Sequence, residues 1–137
     1  MATYAGGCHC GKIRYETSAD PMMAGHCECT DCQRFSGTGH VSMLVFPGAA
    51  VKVTGTPKYY GAKADSGATV SRGFCPDCGT PLFSKTSGMP DVLVVKVGSL
   101  DNPKLFSPQF VLYAKSAQPW DKMDPKLPAF PGMPPTA

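Results

Sequence analysis

Three cysteines crowded into one short segment constrain this chain more than any other feature of its sequence. Cys27, Cys29 and Cys32 follow the pattern C-x-C-x2-C. Three soft thiolates at this spacing converge on one metal ion, and the metal usually bound by such ligands is zinc. Disulfides do not suit them, because the count is odd and cysteines two residues apart are badly placed for the bond. Three sulfurs leave one position of a tetrahedral ion free. The spacing therefore predicts an open metal site of the catalytic kind.

A histidine that closed the shell would make this site structural instead. The candidates are His9, His26 and His40, because a structural zinc takes all four of its ligands from the protein. The spacing alone leaves this alternative open.

The other four cysteines form two short motifs that lie far apart in the chain. Cys8 and Cys10 make a glycine-flanked C-x-C, and Cys75 and Cys78 lie in C-P-x-C-G, which is typical of a zinc-knuckle turn. Together they make a complete four-cysteine shell that would supply folding free energy. Two alternatives stay open. Cys75 and Cys78 could pair with two of the central cysteines, or form a thioredoxin-like redox pair, although no amphipathic helix is indicated after them.

Frequent turn residues favour a mainly β fold in a small single domain. The chain has 137 residues, of which 15 are Gly and 14 are Pro, so we expect short antiparallel strands joined by turns rather than a long helix. One helical turn is predicted at Thr30–Arg34, capped by Thr30 and ended by Gly37. The strands are predicted at residues 12–17, 41–46, 51–54, 58–60, 69–74, 91–97 and 106–113. The strand at 91–97 is the most apolar and is predicted to be central.

The ends of the chain and its charge bear on location and partners. No secretory signal is visible at the start, and the apolar runs are too short to cross a bilayer. We therefore expect a cytoplasmic protein whose cysteines stay reduced. The net charge is +3, but Lys and Arg are scattered, so neither nucleic acid nor a membrane is an expected partner. Residues 1–118 are expected to form the zinc-binding domain, and the Pro-rich residues 119–137 a C-terminal tail.

Several motifs occur in a recognisable order along nearly the whole chain. They are Gly7-Cys8-His9-Cys10-Gly11, His26-Cys27-x-Cys29-x-Asp31-Cys32-x-Arg34, Phe74-Cys75-Pro76-x-Cys78-Gly79-x-Pro81-Leu82-Phe83, Gly98-Ser99-Leu100-Asp101 and Pro119-Trp120. With these motifs the sequence resembles the glutathione-dependent formaldehyde-activating enzyme family, whose domain is shared with centromere protein V.

The resemblance implies a fold, two metal sites and an activity. The fold would be a β-rich domain of the β-tent type. A structural zinc would be held by Cys8, Cys10, Cys75 and Cys78, and a second zinc by Cys27, Cys29 and Cys32 beside the substrate site. The family activity is the formation of S-(hydroxymethyl)glutathione from formaldehyde and glutathione, which is classed as a carbon–sulfur lyase reaction.

Two positions depart from the pattern of many family members. Those members have C-H-C where this chain has Cys27-Glu28-Cys29, and they carry a histidine near the position of Val111. Neither departure touches a cysteine ligand. Both bear on which substrate the site takes.

An open three-thiolate zinc suggests how such an enzyme would work. A thiol in the fourth position would lose its proton and attack the carbon of formaldehyde, so Cys27, Cys29 and Cys32 are the candidate catalytic residues. Arg34 and Arg72 are the candidate partners for the two carboxylates of glutathione. The expected partner is a small thiol such as glutathione, and homodimer formation is left open.

Two other classes of protein compete with the enzyme. A non-catalytic zinc module for partner contact would bind no small thiol near Cys27. A redox or metal-handling protein would hold the central metal weakly and oxidise at Cys27, Cys29 and Cys32 once the metal leaves.

Overall fold

Ten short strands and one helix are formed within residues 3–134, the part of the chain that the computed structural model describes. The strands are β1 (Tyr4–Gly7), β2 (Arg14–Thr17), β3 (Met23–Cys27), β4 (Val41–Pro47), β5 (Lys52–Thr54), β6 (Lys58–Lys63), β7 (Thr69–Phe74), β8 (Pro81–Thr86), β9 (Met89–Lys96) and β10 (Val111–Leu112). The helix is α1 (Thr30–Ser36). The expected mainly β fold is confirmed. Within this part of the chain, no helix combines the length and the apolar character needed to span a membrane.

The strands are arranged in two sheets of unequal size. The smaller sheet has the order β1-β2-β5, and the larger has the order β10-β3-β4-β9-β8-β7-β6. Neighbouring strands are antiparallel, except that β10 runs parallel to β3. Strand β9 is the middle strand of seven, as its apolar sequence predicted.

The main core lies between one face of the large sheet and the small sheet. Side chains alternate between the two faces of a strand, so every second residue of β3, β4, β8 and β9 reaches this core. The buried residues from the large sheet include Ala24, Leu44, Phe46, Phe83, Leu93 and Val95, and those from the other side include Tyr4, Ile13 and Tyr15. The opposite face of the large sheet does not contribute to this core.

The predicted elements agree with the structure in most places. The helical turn is found at Thr30–Ser36 and ends at Gly37, whose φ of 76° suits glycine. The capping residue is Cys29 and not Thr30, because the sulfur of Cys29 accepts the hydrogen bond from the first turn. The cap prediction was therefore wrong by one residue.

The predicted strands differ from the observed strands in two further respects. Strands β1, β3 and β8 were not predicted, since glycine, histidine and proline in their sequences hide the pattern. The strand predicted at 106–113 is confined to Val111–Leu112. Pro103 begins a 3-10 turn and Pro108 lacks an N–H donor, so the segment before Val111 cannot form a full ladder.

The Pro-rich segment after residue 118 packs along β10. The N–H of Val111 donates to the carbonyl of Pro128 at 2.9 Å, and the N–H of Phe130 donates to the carbonyl of Val111 at 2.9 Å. The carboxylate of Asp121 lies 2.6 Å from Nδ1 of His40. These contacts place the segment beside the strand that ends at Cys27.

Gly6 of the small sheet packs closely against the 3-10 turn Val97–Ser99, which follows β9 of the large sheet. A Cβ at this position would lie 2.2 Å from the backbone oxygen of Ser99. Gly6 also bridges to Leu100, and the hydroxyl of Tyr15 lies 2.6 Å from Oγ of Ser99. Only glycine allows this close packing of backbone on backbone.

A matched pair of glycine substitutions tests this contact. Gly6→Ala is expected to lower the free energy of unfolding by about 1–3 kcal/mol, because the methyl group must displace backbone. Gly98→Ala, where a Cβ would meet nothing within 4 Å, is expected to change it by less than about 0.5 kcal/mol. Urea unfolding at constant added zinc measures both. Equal effects of the two substitutions would contradict this description of the contact.

Candidate metal centre

The four-cysteine group forms where two tight turns from distant parts of the chain meet. Cys8 and Cys10 lie in the turn between β1 and β2, and Cys75 and Cys78 lie in the turn between β7 and β8. The four sulfurs all lie within 4.8 Å of one another. The structure thus brings together the four cysteines that the sequence grouped, and it excludes a pairing of Cys75 and Cys78 with the central three.

The spacing of these sulfurs fits a tetrahedral zinc ion. Sγ of Cys10 lies 3.6 Å from Sγ of Cys8 and 3.7 Å from Sγ of Cys75. Zinc–sulfur bonds of about 2.3 Å in a tetrahedron put neighbouring sulfurs about 3.8 Å apart. The donor set is therefore consistent with zinc.

Hydrogen bonds to the sulfurs hold the two turns in place. The N–H of Ile13 donates to Sγ of Cys8 at 3.2 Å. The hydroxyl of Thr80 accepts from the N–H of His9 at 3.0 Å and lies 3.2 Å from Sγ of Cys78. The contact with Thr80 lowers the pKa of Cys78 to about 5, which favours the thiolate that a metal requires.

The three-cysteine group forms at the junction of β3 and α1. Cys27 is the last residue of β3, Cys29 caps the helix and Cys32 lies in its first turn. Sγ of Cys29 accepts a hydrogen bond from the N–H of Cys32 at 3.3 Å. A strand end followed at once by a helix start therefore turns all three sulfurs toward one point, where they lie within 4.8 Å of one another.

Repulsion between the sulfurs of this group shifts their pKa values in opposite directions. Hydrogen bonds with Cys27 and Cys32 lower the pKa of Cys29 to about 2, and the contacts with Cys29 and Cys32 raise the pKa of Cys27. The opposite shifts reflect the mutual repulsion of the sulfurs, because a thiolate disfavours ionisation of the thiol beside it. All three become thiolates together only when a cation neutralises them.

Histidine does not complete the three-cysteine group in the described part of the chain. Among residues 3–134, that group contains only the three sulfurs. His26 turns its Nδ1 to Oγ of Ser42 at 2.9 Å, and His40 turns its Nδ1 to Asp121. His9 is exposed beside the four-cysteine group. The alternative of a shell closed by histidine is therefore not supported.

The second face of the large sheet carries the three-cysteine group and several polar residues. Directly opposed residues of antiparallel strands point to the same face, and the register joins Tyr60 to Arg72, Arg72 to Ser84 and Ser84 to Val94. Lys96 lies two residues after Val94 on β9 and therefore points to the same face. Its partner on β4 is Met43. Met43 packs against the buried cluster that includes Cys27 and Cys32.

Helix α1 covers this face next to the sulfurs. The ring of Phe35 lies 6.1 Å from the ring of Tyr60, and the guanidinium carbon of Arg72 lies 4.5 Å from the centroid of Phe35. Arg72 is buried, and its charge contributes to the lowered pKa of Cys29. Arg34, the other arginine suggested by the sequence, is exposed on α1.

Two polar residues on this face of the sheet, Lys96 and Ser84, were not identified from the sequence, and Glu28 was noted there only as a departure from the family pattern. Lys96 is half-buried on β9, and burial lowers its pKa although the nearby sulfurs oppose the effect. Ser84 is buried without a hydrogen-bond partner, as is Oε2 of Glu28. Burial raises the pKa of Glu28, with Asp121 adding to the rise. A charged residue in the most apolar strand was a signal for Lys96, and the departure from C-H-C was a signal for Glu28, but Ser84 gave none.

Comparison with known proteins places this cysteine arrangement in a family. The family model described as "Glutathione-dependent formaldehyde-activating enzyme" matches residues 3–116. The chain belongs to this family. The matched region contains both cysteine groups.

Individual relatives agree with this assignment. A Penicillium rubens protein named "Putative glutathione-dependent formaldehyde-activating enzyme" is 34% identical over 88 residues, which cover 61% of this chain and 46% of that protein. The chain thus spans about half the length of the curated relative that it matches. A crystal structure of a Rhodobacter sphaeroides protein is similar in fold, with a TM-score of 0.57 and 22% identity over 73% of this chain and 92% of that chain.

Serine substitutions should separate the two cysteine groups of this family member. Cys75→Ser and Cys27→Ser are each expected to lower the metal content by about one ion per chain. Only Cys75→Ser should also unfold the chain, because the four-cysteine group ties the turn at residues 8–10 to the turn at residues 75–78, and structural zinc supplies on the order of 10 kcal/mol. Elemental analysis and circular dichroism make the two measurements. A folded Cys75→Ser variant beside an unfolded Cys27→Ser variant would reverse the assignment.

Proposed function

We propose that the protein is a zinc-dependent enzyme that joins glutathione to formaldehyde to form S-(hydroxymethyl)glutathione, a reaction of the carbon–sulfur lyase class. The four-cysteine group would be its structural zinc site, and Cys27, Cys29 and Cys32 would hold the catalytic zinc. Membership of the family supports this activity. The observation that carries the proposal is a group of three sulfurs without a fourth protein ligand among residues 3–134.

The open group has surroundings that suit a bound thiol. Phe35 and Tyr60 lie to one side of it on α1 and β6, and Arg72 supplies a positive charge. Val41 and Leu112 pack against Cys27 and keep water from that side of the sulfurs. The site is therefore apolar on one side and cationic on the other, as a small anionic thiol requires.

The chemistry needs a sulfur nucleophile more than it needs an activated carbonyl. A zinc ion held by three thiolates would favour the deprotonated form of an incoming sulfur and would be a weak Lewis acid toward a carbonyl oxygen. A lone pair on the glutathione sulfur then forms the new bond to the carbon of formaldehyde. The carbonyl π electrons move to oxygen, which takes up one proton, so the proton lost by the thiol balances the one gained by the hydroxymethyl group.

Arg72 is the better of the two predicted partners for a carboxylate of glutathione. Its guanidinium is held over Phe35 beside Cys29, whereas the side chain of Arg34 is exposed to solvent. A buried guanidinium with one face on an aromatic ring keeps its edge free for a carboxylate. The proposal therefore assigns carboxylate binding to Arg72 before Arg34.

Metal content and thiol binding test the proposed function together. Protein purified with and without added zinc should contain up to two zinc ions per chain, and glutathione should perturb only the ion held by the three-cysteine group. Cobalt substituted into the protein reports the effect, because thiol binding changes its visible absorption. A single tightly held zinc that no thiol perturbs would overturn the proposal and favour a zinc module for partner contact.

Replacement of Arg72 tests the role given to its charge. Arg72→Met is expected to weaken glutathione binding about tenfold or more, since a hydrogen bond between charged groups contributes about 1.5–3 kcal/mol. The exchange of ¹³C-formaldehyde with its glutathione adduct, followed by magnetization-transfer NMR, gives the rate and the half-saturating glutathione concentration. Lys104→Met, which removes an exposed charge, is the control and should leave both unchanged. Equal half-saturating concentrations for Arg72→Met and the wild type would contradict the assignment.

A further inference from the structure

One serine hydroxyl on the site face of the large sheet is buried without a partner. Ser84 is 7% exposed, and its Oγ makes no hydrogen bond within residues 3–134. A buried hydroxyl that lacks a partner is unfavourable by itself. Its presence on the same sheet face as the three-cysteine group is explained by a ligand that completes it.

Two cations share the sheet face with this hydroxyl. Arg72 on β7 is directly opposite Ser84 on β8, and Lys96 on β9 is diagonal to it through Val94. Directly opposed residues in a sheet lie about 5 Å apart and diagonal ones about 7–8 Å, which long side chains span. The three polar ends can therefore meet around one small group.

The two cations are not matched by carboxylates of the protein. Within residues 3–134, neither Arg72 nor Lys96 forms an ion pair with Asp or Glu. Burial lowers the pKa of Lys96, and the charge of Arg72 lowers it further. The nearby sulfurs act in the other direction, but three thiolates around a zinc ion retain only one net negative charge. Before a substrate thiol binds, one positive charge of the pair is therefore left without a counterion.

We propose that Arg72, Ser84 and Lys96 form a subsite that binds a carboxylate of the substrate thiol. Arg72 and Lys96 supply the positive charge, and the hydroxyl of Ser84 donates to a carboxylate oxygen. The subsite restricts the substrate class to thiols that carry an anionic group, and it aims their sulfur at the three-cysteine group. This inference rests on the proposed function, and it adds to that function the substrate class and two residues, Ser84 and Lys96.

Three forms of glutathione separate the contribution of the carboxylates from that of the sulfur. Glutathione has both groups, its dimethyl ester keeps only the thiol, and S-methylglutathione keeps only the carboxylates. Calorimetric titration of the zinc-loaded protein should give glutathione an affinity at least tenfold higher than that of the ester. S-methylglutathione should still bind weakly, because the subsite does not need the free sulfur.

Substitutions at Lys96 test whether the subsite causes the preference for glutathione over its dimethyl ester. Lys96→Met should remove most of the preference for glutathione over its ester without changing the affinity for the ester, and Lys96→Arg should retain it. Lys85→Met is the matched control, because it removes the same charge one residue after Ser84, where the side chain points to the opposite face and lies over Tyr59. It should change the affinity less than about twofold.

Ser84→Ala separates a binding role from a structural one. If the hydroxyl serves the ligand, its removal should raise the melting temperature of the ligand-free protein and lower its affinity for glutathione several-fold. A lower melting temperature with unchanged affinity would mean a structural role and would overturn the inference for Ser84.

The outcomes distinguish this inference from the proposed function. Equal affinities for glutathione and its ester would overturn the subsite and leave the thiol-binding site in place. Binding of S-methylglutathione alone, with no binding of the ester, would support the subsite and count against thiol binding at the cysteines. Failure of all three compounds to bind would overturn both.

Discussion

Repulsion between neighbouring thiolates is the constraint on which the rest of this structure depends. Seven sulfurs lie in two groups so tight that they ionise together only around a cation. In the four-cysteine group, that cation would join two turns separated by the whole of β2 to β7. One turn joins two strands of the small sheet and the other joins two strands of the large sheet, so an ion bound there would link the two sheets. Because such a site does not exist in the unfolded chain, the free energy of metal binding there would add to the free energy of folding.

One face of the large sheet forms the core, and the other face carries the candidate site. One face contributes Leu44, Phe83 and Val95 to the core, where all three are almost fully buried. The other face carries sulfur, cationic and hydroxyl groups, and a helix of only seven residues covers part of it. Since the period of a strand is two residues, neighbours such as Lys85 and Ser84 or Val95 and Lys96 belong to different environments. A site can thus be built on rigid, central strands without interrupting the core.

The two cysteine groups differ by a single ligand, and in the proposed function that difference separates their roles. Four sulfurs satisfy a tetrahedral ion and leave it inert, whereas three leave a position to which a substrate can bind. Among residues 3–134, no histidine joins the three sulfurs, and Nδ1 of His26 and Nδ1 of His40 lie against Ser42 and Asp121. Asp121 belongs to the segment beyond the region that the family model matches.

The sequence by itself determined the number of sulfurs, the mainly β class and the central place of β9, because these follow from composition, turn residues and the apolar character of a short segment. It favoured a division of the cysteines into four and three, but the tertiary structure decided that division by bringing the two distant turns together. The sequence also determined the helical turn that begins at the three-cysteine motif. Only the tertiary structure decided that Arg72 rather than Arg34 lies beside the sulfurs, and that Ser84 and Lys96 join it. These residues meet through the register of β7, β8 and β9, and register depends on pairing between segments that no local pattern specifies.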